Sequence, residues 1–490
     1  MSLAKKVARN IIVQVGGKII SVILGLWSLV LITRLLGPDG FGEYTTIMTY
    51  LSFFAVIADL GLTLVTVQMV SGRDNDENKI LNNLFGLRLV SIILLLAWAP
   101  IIIIWLPYSQ AIKIGVAISL AAFFFPALNQ IIVGFFQKRL SMDRDAIAEV
   151  ISRIVLVIGI VWANNKNAGL NGVLIATVLS AAANFIAHYL FACQFTIIKP
   201  EFDWSIWRKI ITRSWPLTIT IILNLIYLRA DTLILSLLRS SAEVGLYGAT
   251  YKIVDVLTTF PFMFAGLILP ILTAAWLEKK PDYFNHVLQK SLDFMIMIAI
   301  PLAVGTQFLG QPVMLFIAGR DFAPAGQILQ VLIFSVVAIF FGTMFSHAVI
   351  ALDQQKKMII PYIFTGLSAL AAYLIFIPQF SYFGAAGVTI YSEIAIAIFS
   401  TLCVFKYSKF RPNFKMFFRS IAASLIMGIF LYFSANTWQT TYLYLILLII
   451  ISSLIYFIAL YFLGGIKKSD LSIIFKSKTG GGQAYGGTNL

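Results

Sequence analysis

The dominant feature of this sequence is a series of apolar runs, each about as long as a helix that crosses a lipid bilayer. The hydrocarbon core of a bilayer requires roughly 20 consecutive apolar residues in a helix. The segments between the runs are too short for a folded soluble domain, which needs at least about 50 residues. The sequence predicts fourteen spans, near residues 11–33, 43–70, 80–106, 111–136, 146–163, 170–196, 214–238, 243–275, 290–318, 325–351, 358–377, 383–405, 417–434 and 443–465.

The composition requires lipid as the solvent. Hydrophobic residues make up 60% of the chain and charged residues only 12%, whereas soluble domains carry about 25% charged residues. A surface this apolar cannot be hydrated, so it must face hydrocarbon. We therefore predict an all-α integral membrane protein with about fourteen transmembrane helices.

The positions of the positive charges predict the orientation. The net charge is +15, but the charges lie in short clusters between the apolar runs and form no continuous basic face for nucleic acid. With the N-terminus inside, 26 of the 36 Lys and Arg residues fall in inward segments and five in outward ones. Positive charge is retained on the cytoplasmic side of membranes. We expect both termini to be cytoplasmic.

Two pairs of similar segments indicate an internal repeat. LLGPDGFGEY (35–44) and LRSSAEVGLY (238–247) share a Gly-x-Tyr ending, and GLNGVLIA (169–176) and GAAGVTIY (384–391) share Gly-x-x-Gly-Val. Both pairs occupy the same place in successive sets of six spans. An even number of spans gives two parallel repeats, an arrangement typical of two-lobed transporters. The alternative is that these residues are merely common where helices begin.

The repeat predicts the domain organisation. Residues 1–198 form an N-lobe of spans 1–6, and residues 199–405 form a C-lobe of spans 7–12. Residues 406–466 hold two further spans outside the repeat. The polar, Gly-rich residues 467–490 are predicted to be a flexible cytoplasmic tail.

Several segments together resemble a known transporter family. They are LLGPDGFGEY, the stretch SWPLTITIILNLIYLRADTLILSLL (214–238), the stretch EVGLYGATYKIVDVLTTFP (243–261) and the two Gly-x-x-Gly-Val starts. They resemble the polysaccharide-exporter branch of the multidrug/oligosaccharidyl-lipid/polysaccharide transporter superfamily, and within it the Wzx-type O-antigen flippases. The resemblance covers nearly the whole chain.

The resemblance implies a V-shaped, two-lobed protein of the bacterial inner membrane with a partly cationic aqueous cavity. It implies a substrate that is an undecaprenyl-pyrophosphate-linked oligosaccharide, such as an O-antigen or capsule repeat unit. The expected movement is from the cytoplasmic to the periplasmic leaflet. A polysaccharide polymerase and a chain-length regulator are possible partners, besides membrane lipids.

Four basic residues inside the spans are candidates for substrate binding, because ionisable residues within a membrane are costly and often functional. Lys18, Arg88 and Arg153 lie about two turns from the cytoplasmic ends of spans 1, 3 and 5. Arg229 lies in span 7, and its expected partner is Asp255 or the substrate. Guanidinium groups bind phosphate oxygens in pairs, which suits a pyrophosphate. The alternative for the first three is that their side chains extend to the interface.

Four acidic residues are candidates for coupling transport to H⁺ or Na⁺. Asp59 and Glu393 lie near the middle of their spans, and Asp231 and Asp255 lie in spans 7 and 8. A buried carboxylate can hold a proton or a cation. The alternative is pairing with a membrane cation. Lys252 and Asp255 have the spacing of a pair on one helix face, whereas Arg229 and Asp231, two residues apart, point away from each other.

No motif for enzymatic chemistry accompanies these charges. The sequence has no HExxH metal site and no GxxxxGK[ST] phosphate loop, so we predict neither catalytic residues, nor a metal, nor a cofactor. Two other functions stay open. One is a cation-coupled multidrug antiporter of the same superfamily, and the other is a membrane polymerase or ligase of a polysaccharide pathway.

Overall fold

The computed structural model describes residues 3–62, Thr66, Met69, 77–139, 141–435 and 442–465. The described part is helical. Its α-helices are α1 Leu3–Asp59, α2 Glu77–Trp105, α3 Gln110–Lys138, α4 Met142–Asn165, α5 Gly169–Cys193, α6 Trp204–Leu238, α7 Ser241–Leu277, α8 Pro281–Ala318, α9 Ala325–Ala351, α10 Ile359–Ser408, α11 Lys415–Ala435 and α12 Tyr442–Phe462. Two short 3₁₀ helices, Arg320–Phe322 and Gln355–Met358, precede α9 and α10.

The prediction of an all-α membrane protein is confirmed. Eleven helices within the described residues are long and apolar enough to cross a membrane. Two of these, α1 and α10, are each divided by a break, and α6 adds a further helix of 35 residues. The described chain thus contains fourteen helical segments of spanning length, one at each predicted span. Most of span 43–70 beyond residue 62 lies outside the described residues.

Breaks at single residues replace two loops that the sequence suggested. Gly37, with φ of 64°, divides α1, and only a residue without Cβ adopts this backbone freely. Pro38 follows it and cannot continue the hydrogen bonding of the preceding turn. In α10 the break lies at Ser381, with φ of 52°. Each break joins two membrane-crossing segments directly.

The two halves of the repeat meet at a glycine crossing. A Cβ atom at Gly42 of α1 would lie 1.7 Å from the carbonyl oxygen of Ser241 in α7, and one at Gly245 would lie 2.0 Å from that of Pro38. These glycines are the ones that the two similar segments share. The crossing lies on the membrane face that carries the Gly37 break, which we call the Gly37 face.

The link between the predicted lobes is tied to α2 on the opposite face. Asn82 donates to the Glu201 carboxylate at 3.0 Å, and its own carbonyl oxygen accepts from the Glu201 amide at 3.2 Å. Lys79 pairs with Asp203 at 3.0 Å, and the amide of Asp203 donates to Asn83 at 2.7 Å. Residues 199–203 therefore pack with the N-terminal half of the chain.

Helix α6 belongs to both halves. Its first turns place Ile206 and Ile210 against the core of α2 and α3, whereas Ala230 and Leu235 lie in the core formed by α7–α10. Thus residues 199–210 pack with the predicted N-lobe, although the division at 198 and 199 assigned them to the C-lobe. The lobes as moving units stay a prediction.

The last two helices attach to the side of α8. Met427 of α11 and Tyr456 of α12 are buried in a separate cluster with Leu309 of α8. The Tyr456 hydroxyl donates to the carbonyl oxygen of Met297 at 2.8 Å. The predicted tail, 467–490, lies outside the described residues.

Candidate functional site

A polar cavity lies between the two halves of the repeat. Its volume is about 300 Å³, and it is lined by residues of α1, α4 and α7. On α1 the lining extends from Lys18 to Ile32 and on to Phe41 and Tyr44. Residues 18 to 32 alone span about 20 Å at 1.5 Å per residue. The cavity therefore runs through much of the membrane's thickness.

Packed aromatic rings close the cavity towards the Gly37 face. Phe41 is 1% exposed. Its ring lies 5.9 Å from the ring of Tyr44 and 5.9 Å, edge to face, from that of Phe322. These contacts lie beside the glycine crossing. Lys18, at the other end of the lining, has 43% of its side chain exposed.

Two cations of the N-terminal half share one carboxylate in the cavity. The Lys18 ammonium lies 3.2 Å from Glu149, and the Arg153 guanidinium lies 4.0 Å from the same oxygen. The structure thus brings two predicted substrate-binding residues together. Glu149 was not among the predicted site residues, although its position four residues before Arg153 is a recognisable helix pairing. One negative charge between two positive ones leaves a net positive cluster.

The C-terminal half supplies a second cluster with the same composition. The Arg229 guanidinium donates to both oxygens of Asp255 at 3.2 Å and lies 5.1 Å from the ring centre of Tyr251. Lys252 lines the cavity beside Asp255. The expected contact between Arg229 and Asp255 is present, since Arg229 reaches the carboxylate from the neighbouring helix, and it takes the place of the Lys252–Asp255 pair. The expectation that Arg229 and Asp231 do not pair is correct.

Arg88 lies apart from the cavity, unlike Lys18 and Arg153. Its side chain is 1% exposed and pairs with Asp59 at 2.7 Å. It also donates to the carbonyl oxygens of Ala127 at 2.9 Å and Ala58 at 3.2 Å, and to the side chain of Gln130. It is absent from the lining of the cavity. The expected vestibule of three cations therefore contains two of them.

The pairing of Arg88 explains the position of Asp59. Helix α1 ends at Asp59, and the next two residues, Leu60 and Gly61, have positive φ of 47° and 70°. Backbone carbonyl groups at a helix end inside a membrane need hydrogen-bond donors. Arg88 supplies them together with Ser91, whose hydroxyl donates to Ala58 at 2.9 Å. This geometry matches the ion-pair alternative for Asp59.

Asp231 occupies a buried oxygen-rich site in the C-terminal half. It accepts from the Tyr247 hydroxyl at 2.6 Å and from the Thr232 amide at 2.6 Å. The Thr389 hydroxyl lies 3.5 Å from Asp231 and 3.2 Å from that of Tyr373. Three helical segments, α6, α7 and the second part of α10, thus meet at one carboxylate, and Tyr373 of the first part of α10 connects to it through Thr389. The hydroxyls of Tyr247, Thr389 and Tyr373 were not predicted, because nothing in their spacing along the sequence shows that they meet.

The remaining acid, Glu393, lies half-buried on the second part of α10, away from the lining of the cavity. Among the described residues, no group of three or more His, Cys, Asp and Glu side chains is arranged to hold a metal ion.

Comparison with known proteins agrees with this architecture. The family described as polysaccharide biosynthesis protein matches residues 7–276, and the MatE family matches residues 216–376. No curated protein sequence matches the chain.

Several solved structures share the fold, among them the following three. The lipid II flippase MurJ in an inward closed conformation has a TM-score of 0.76 and 17% identity, covering 95% of this chain and 99% of that one. An inward-facing multidrug resistance MATE transporter has a TM-score of 0.66 and 17% identity, covering 81% and 98%. A transporter from Pyrococcus furiosus, described as having reversed polarity of its binding pocket, has a TM-score of 0.54 and 16% identity, covering 82% and 96%.

The family match covers more than half of the chain. The internal repeat, the cavity between its two halves and the structural neighbours agree with this match. The chain belongs to the polysaccharide biosynthesis protein family, and it shares its fold with the lipid II flippase MurJ and with a MATE transporter of the MOP superfamily.

Proposed function

We propose that this protein is a flippase that moves an undecaprenyl-pyrophosphate-linked oligosaccharide from the cytoplasmic to the periplasmic leaflet of a bacterial inner membrane. The O-antigen or capsule repeat units are the proposed cargo. The observation that carries the proposal is the excess of cations in the cavity. Lys18, Arg153 and Lys252 line it against two carboxylates, and Arg229 adds a fourth cation next to Asp255.

The cation clusters suit a pyrophosphate in particular. Lys18 and Arg153 share Glu149, and Lys252 lies beside the Arg229–Asp255 pair. In each cluster the two cationic side chains carry more N–H hydrogen-bond donors than the single carboxylate can accept. Phosphate oxygens accept charge-assisted hydrogen bonds from both kinds of side chain. A diphosphate placed between the halves would engage both clusters and draw them together.

The proposed mechanism is alternating access. The headgroup and glycan enter the cavity from the Lys18 end, while the polyprenyl chain stays in lipid. Binding favours a state in which the halves close over the headgroup, and the glycine crossing on the Gly37 face then opens. A ligand shifts such an equilibrium only through its different affinity for the two states. Contacts from both clusters to one diphosphate provide that difference.

The direction of transport is proposed to come from H⁺ or Na⁺ at Asp231. Its carboxylate and the hydroxyls of Tyr247 and Thr389 form a set of oxygen ligands. Hard cations prefer ligands of this type. Asp255 and Glu393 are further candidates. Asp59 is less suited, because Arg88 already neutralises it.

A multidrug antiporter is the second candidate, and the MATE structural neighbour favours it. A cavity that selects cationic drugs requires an excess of carboxylates, whereas this one has an excess of cations. The Pyrococcus furiosus neighbour shows that pocket polarity within this fold has been linked to a different function. A polymerase or ligase is disfavoured, because the structural neighbours are described as a flippase and as transporters. A polymerase and a chain-length regulator are proposed partners instead.

Complementation tests the proposal. The protein would be expressed in bacteria that lack their own O-antigen or capsule flippase, and surface polysaccharide would be measured. We expect restored polymer, and loss of polymer with Arg153→Gln at unchanged protein level. The matched control is Arg320→Gln, at a cation outside the cavity lining. Drug resistance without polymer in hosts with several different repeat units would establish the antiporter instead.

A further inference from the structure

A second cavity lies in the membrane-facing side of α10, between its two halves. Its volume is about 610 Å³. Phe376 and Phe380 line it from the first half, and Phe383 and Tyr391 line it from the second. It shares no lining residue with the central cavity. The surrounding large apolar side chains, such as Ile375 at 55% exposure, face outward.

The geometry of the break at Ser381 creates this groove. A Cβ at Gly384 would lie 2.3 Å from the Phe376 carbonyl oxygen, so the two halves are in close contact next to the break. At Gly387 a Cβ would meet nothing within 4 Å. Deeper in the groove, the hydroxyls of Ser368 and Tyr391 form a hydrogen bond with each other at 2.9 Å. The rest of the groove's lining is apolar.

The groove is about as long as a lipid chain in one leaflet. Ser368 precedes the break by thirteen residues, or about 20 Å of helix at 1.5 Å per residue. One leaflet of hydrocarbon is about 15 Å thick, half of the bilayer core. The groove begins at the membrane face, where the break lies, and extends towards the bilayer centre.

Two opposite charges lie at the mouth of the groove. Arg239 donates to the carbonyl oxygens of Ile377 and Pro378, which lie between the two phenylalanines of the first half. Glu243 accepts from the Ser381 hydroxyl at 2.5 Å. A cation and a carboxylate fixed on either side of the break match the phosphate and the ammonium of a zwitterionic headgroup.

We propose that this groove binds a phosphatidylethanolamine-type phospholipid. One acyl chain lies along Phe376, Phe383 and the open face of Gly387. The phosphate lies near Arg239 and the ammonium near Glu243. The bound chain fills the gap on the lipid-facing side of the two helical segments, and so it braces the break.

Photolabelling tests the proposal on the purified full-length protein in vesicles. The probe is phosphatidylethanolamine with a diazirine in the middle of one acyl chain, and labelled peptides are located by mass spectrometry. We expect labelling within 368–391. Gly387→Leu fills the groove and should reduce that label on the order of tenfold, because losing the burial of a few methylene groups changes an affinity by this factor.

The matched control is Gly366→Leu, which lies on the same helix, also has nothing within 4 Å of its Cβ position and does not line the groove. It should label like the unmodified protein. Glu243→Gln should remove the preference for phosphatidylethanolamine over phosphatidylglycerol, because both lipids carry the phosphate and only the first carries the ammonium assigned to Glu243. Equal labelling of Gly387→Leu and Gly366→Leu overturns the site. Labelling by a polyprenyl phosphate probe but not by phospholipid overturns the assigned ligand.

Discussion

The backbones of Gly42 and Gly245 cross so closely that a Cβ atom on either residue would lie 3.0 Å from the amide nitrogen of the other. These residues are the glycines shared by the two similar segments of the repeat. The crossing joins the two halves of the molecule at the Gly37 face. Any side chain at either position would force the helices apart. Closure of the Gly37 face therefore requires glycine at both positions.

The first prediction concerns this crossing. Gly42→Ala should weaken the contact by about 1–3 kcal/mol, the usual effect of overpacking a close contact, and should shift the protein towards states open at the Gly37 face. Thermal unfolding in detergent and labelling of an introduced cysteine beside Phe41 would measure the two effects. Gly266→Ala is the control, because its Cβ would meet nothing within 4 Å. Identical behaviour of the two variants would contradict the role of the crossing.

The second prediction separates the two arginines that the sequence grouped together. Arg88→Ala should destabilise the protein by about 3–5 kcal/mol, because Asp59 would keep a buried, unpaired charge. Arg153→Ala should leave the unfolding temperature nearly unchanged and abolish transport. Measuring unfolding and complementation for both variants tests this. A stable Arg88→Ala protein that has lost only transport would restore Arg88 to the substrate site.

The two arginines also show what the sequence could not supply. Arg88 and Arg153 occupy equivalent depths in their predicted spans, and hydropathy treats them alike. Their different surroundings depend on the early end of α1 at Asp59, a break that follows an apolar run without a proline. Only the packing of α1 against α2 and α3 shows that Arg88 supplies the donors for this break.

The third prediction concerns Asp231. If cation binding there drives transport, Asp231→Asn should remove the dependence of transport on the Na⁺ or H⁺ gradient, since an amide cannot exchange a proton or balance a cation. Tyr247→Phe, which removes one hydroxyl donor at 2.6 Å, should weaken the dependence and not abolish it. Transport by proteoliposomes under imposed gradients is the measurement. An unchanged gradient dependence in Asp231→Asn would exclude this site.

The fourth prediction concerns the pH dependence of the link between the halves. The hydrogen bond from Lys79 lowers the pKa of Asp203 below its ordinary value of 3.8, and the amides of Ile206 and Ser205 act in the same direction. Because the pKa of Asp203 is lowered in the folded protein, its ionised carboxylate stabilises the fold at pH values above 3.8. This stabilisation is lost as the pH falls through the lowered pKa of the folded protein.

Asp203→Asn should therefore have a lower unfolding temperature than the unmodified protein at neutral pH, and the difference should shrink as the pH falls below 3.8. Asp282→Asn, at an exposed acid in the first turn of α8, is the control. A difference between the unmodified protein and Asp203→Asn that is the same at neutral and acidic pH would show that the ion pair does not stabilise the link.

The helices themselves were predictable because the length and the hydropathy of a segment can be determined from its own residues. Length and hydropathy decide whether a segment can cross a bilayer, and all fourteen predicted spans fall on helical segments. The shared Gly-x-Tyr ending identified Gly42 and Gly245 before their contact was known. The partners of the buried charges were not predictable, because Glu149, Tyr247 and Thr389 reach their sites only through packing between distant helices.

Reconstitution tests whether the protein moves a lipid-linked pyrophosphate and whether the cavity cations are needed for it. Proteoliposomes would contain the purified protein and a fluorescent short-chain polyprenyl-pyrophosphate disaccharide, and an impermeant quencher would report its movement between leaflets. We expect translocation by the unmodified protein, reduced by on the order of tenfold or more in Lys18→Gln and Arg153→Gln, because each removes charge-assisted phosphate contacts. Translocation of cationic drugs instead of the lipid would exclude the flippase function, and wild-type rates in both variants would exclude a role of Lys18 and Arg153 in binding the pyrophosphate.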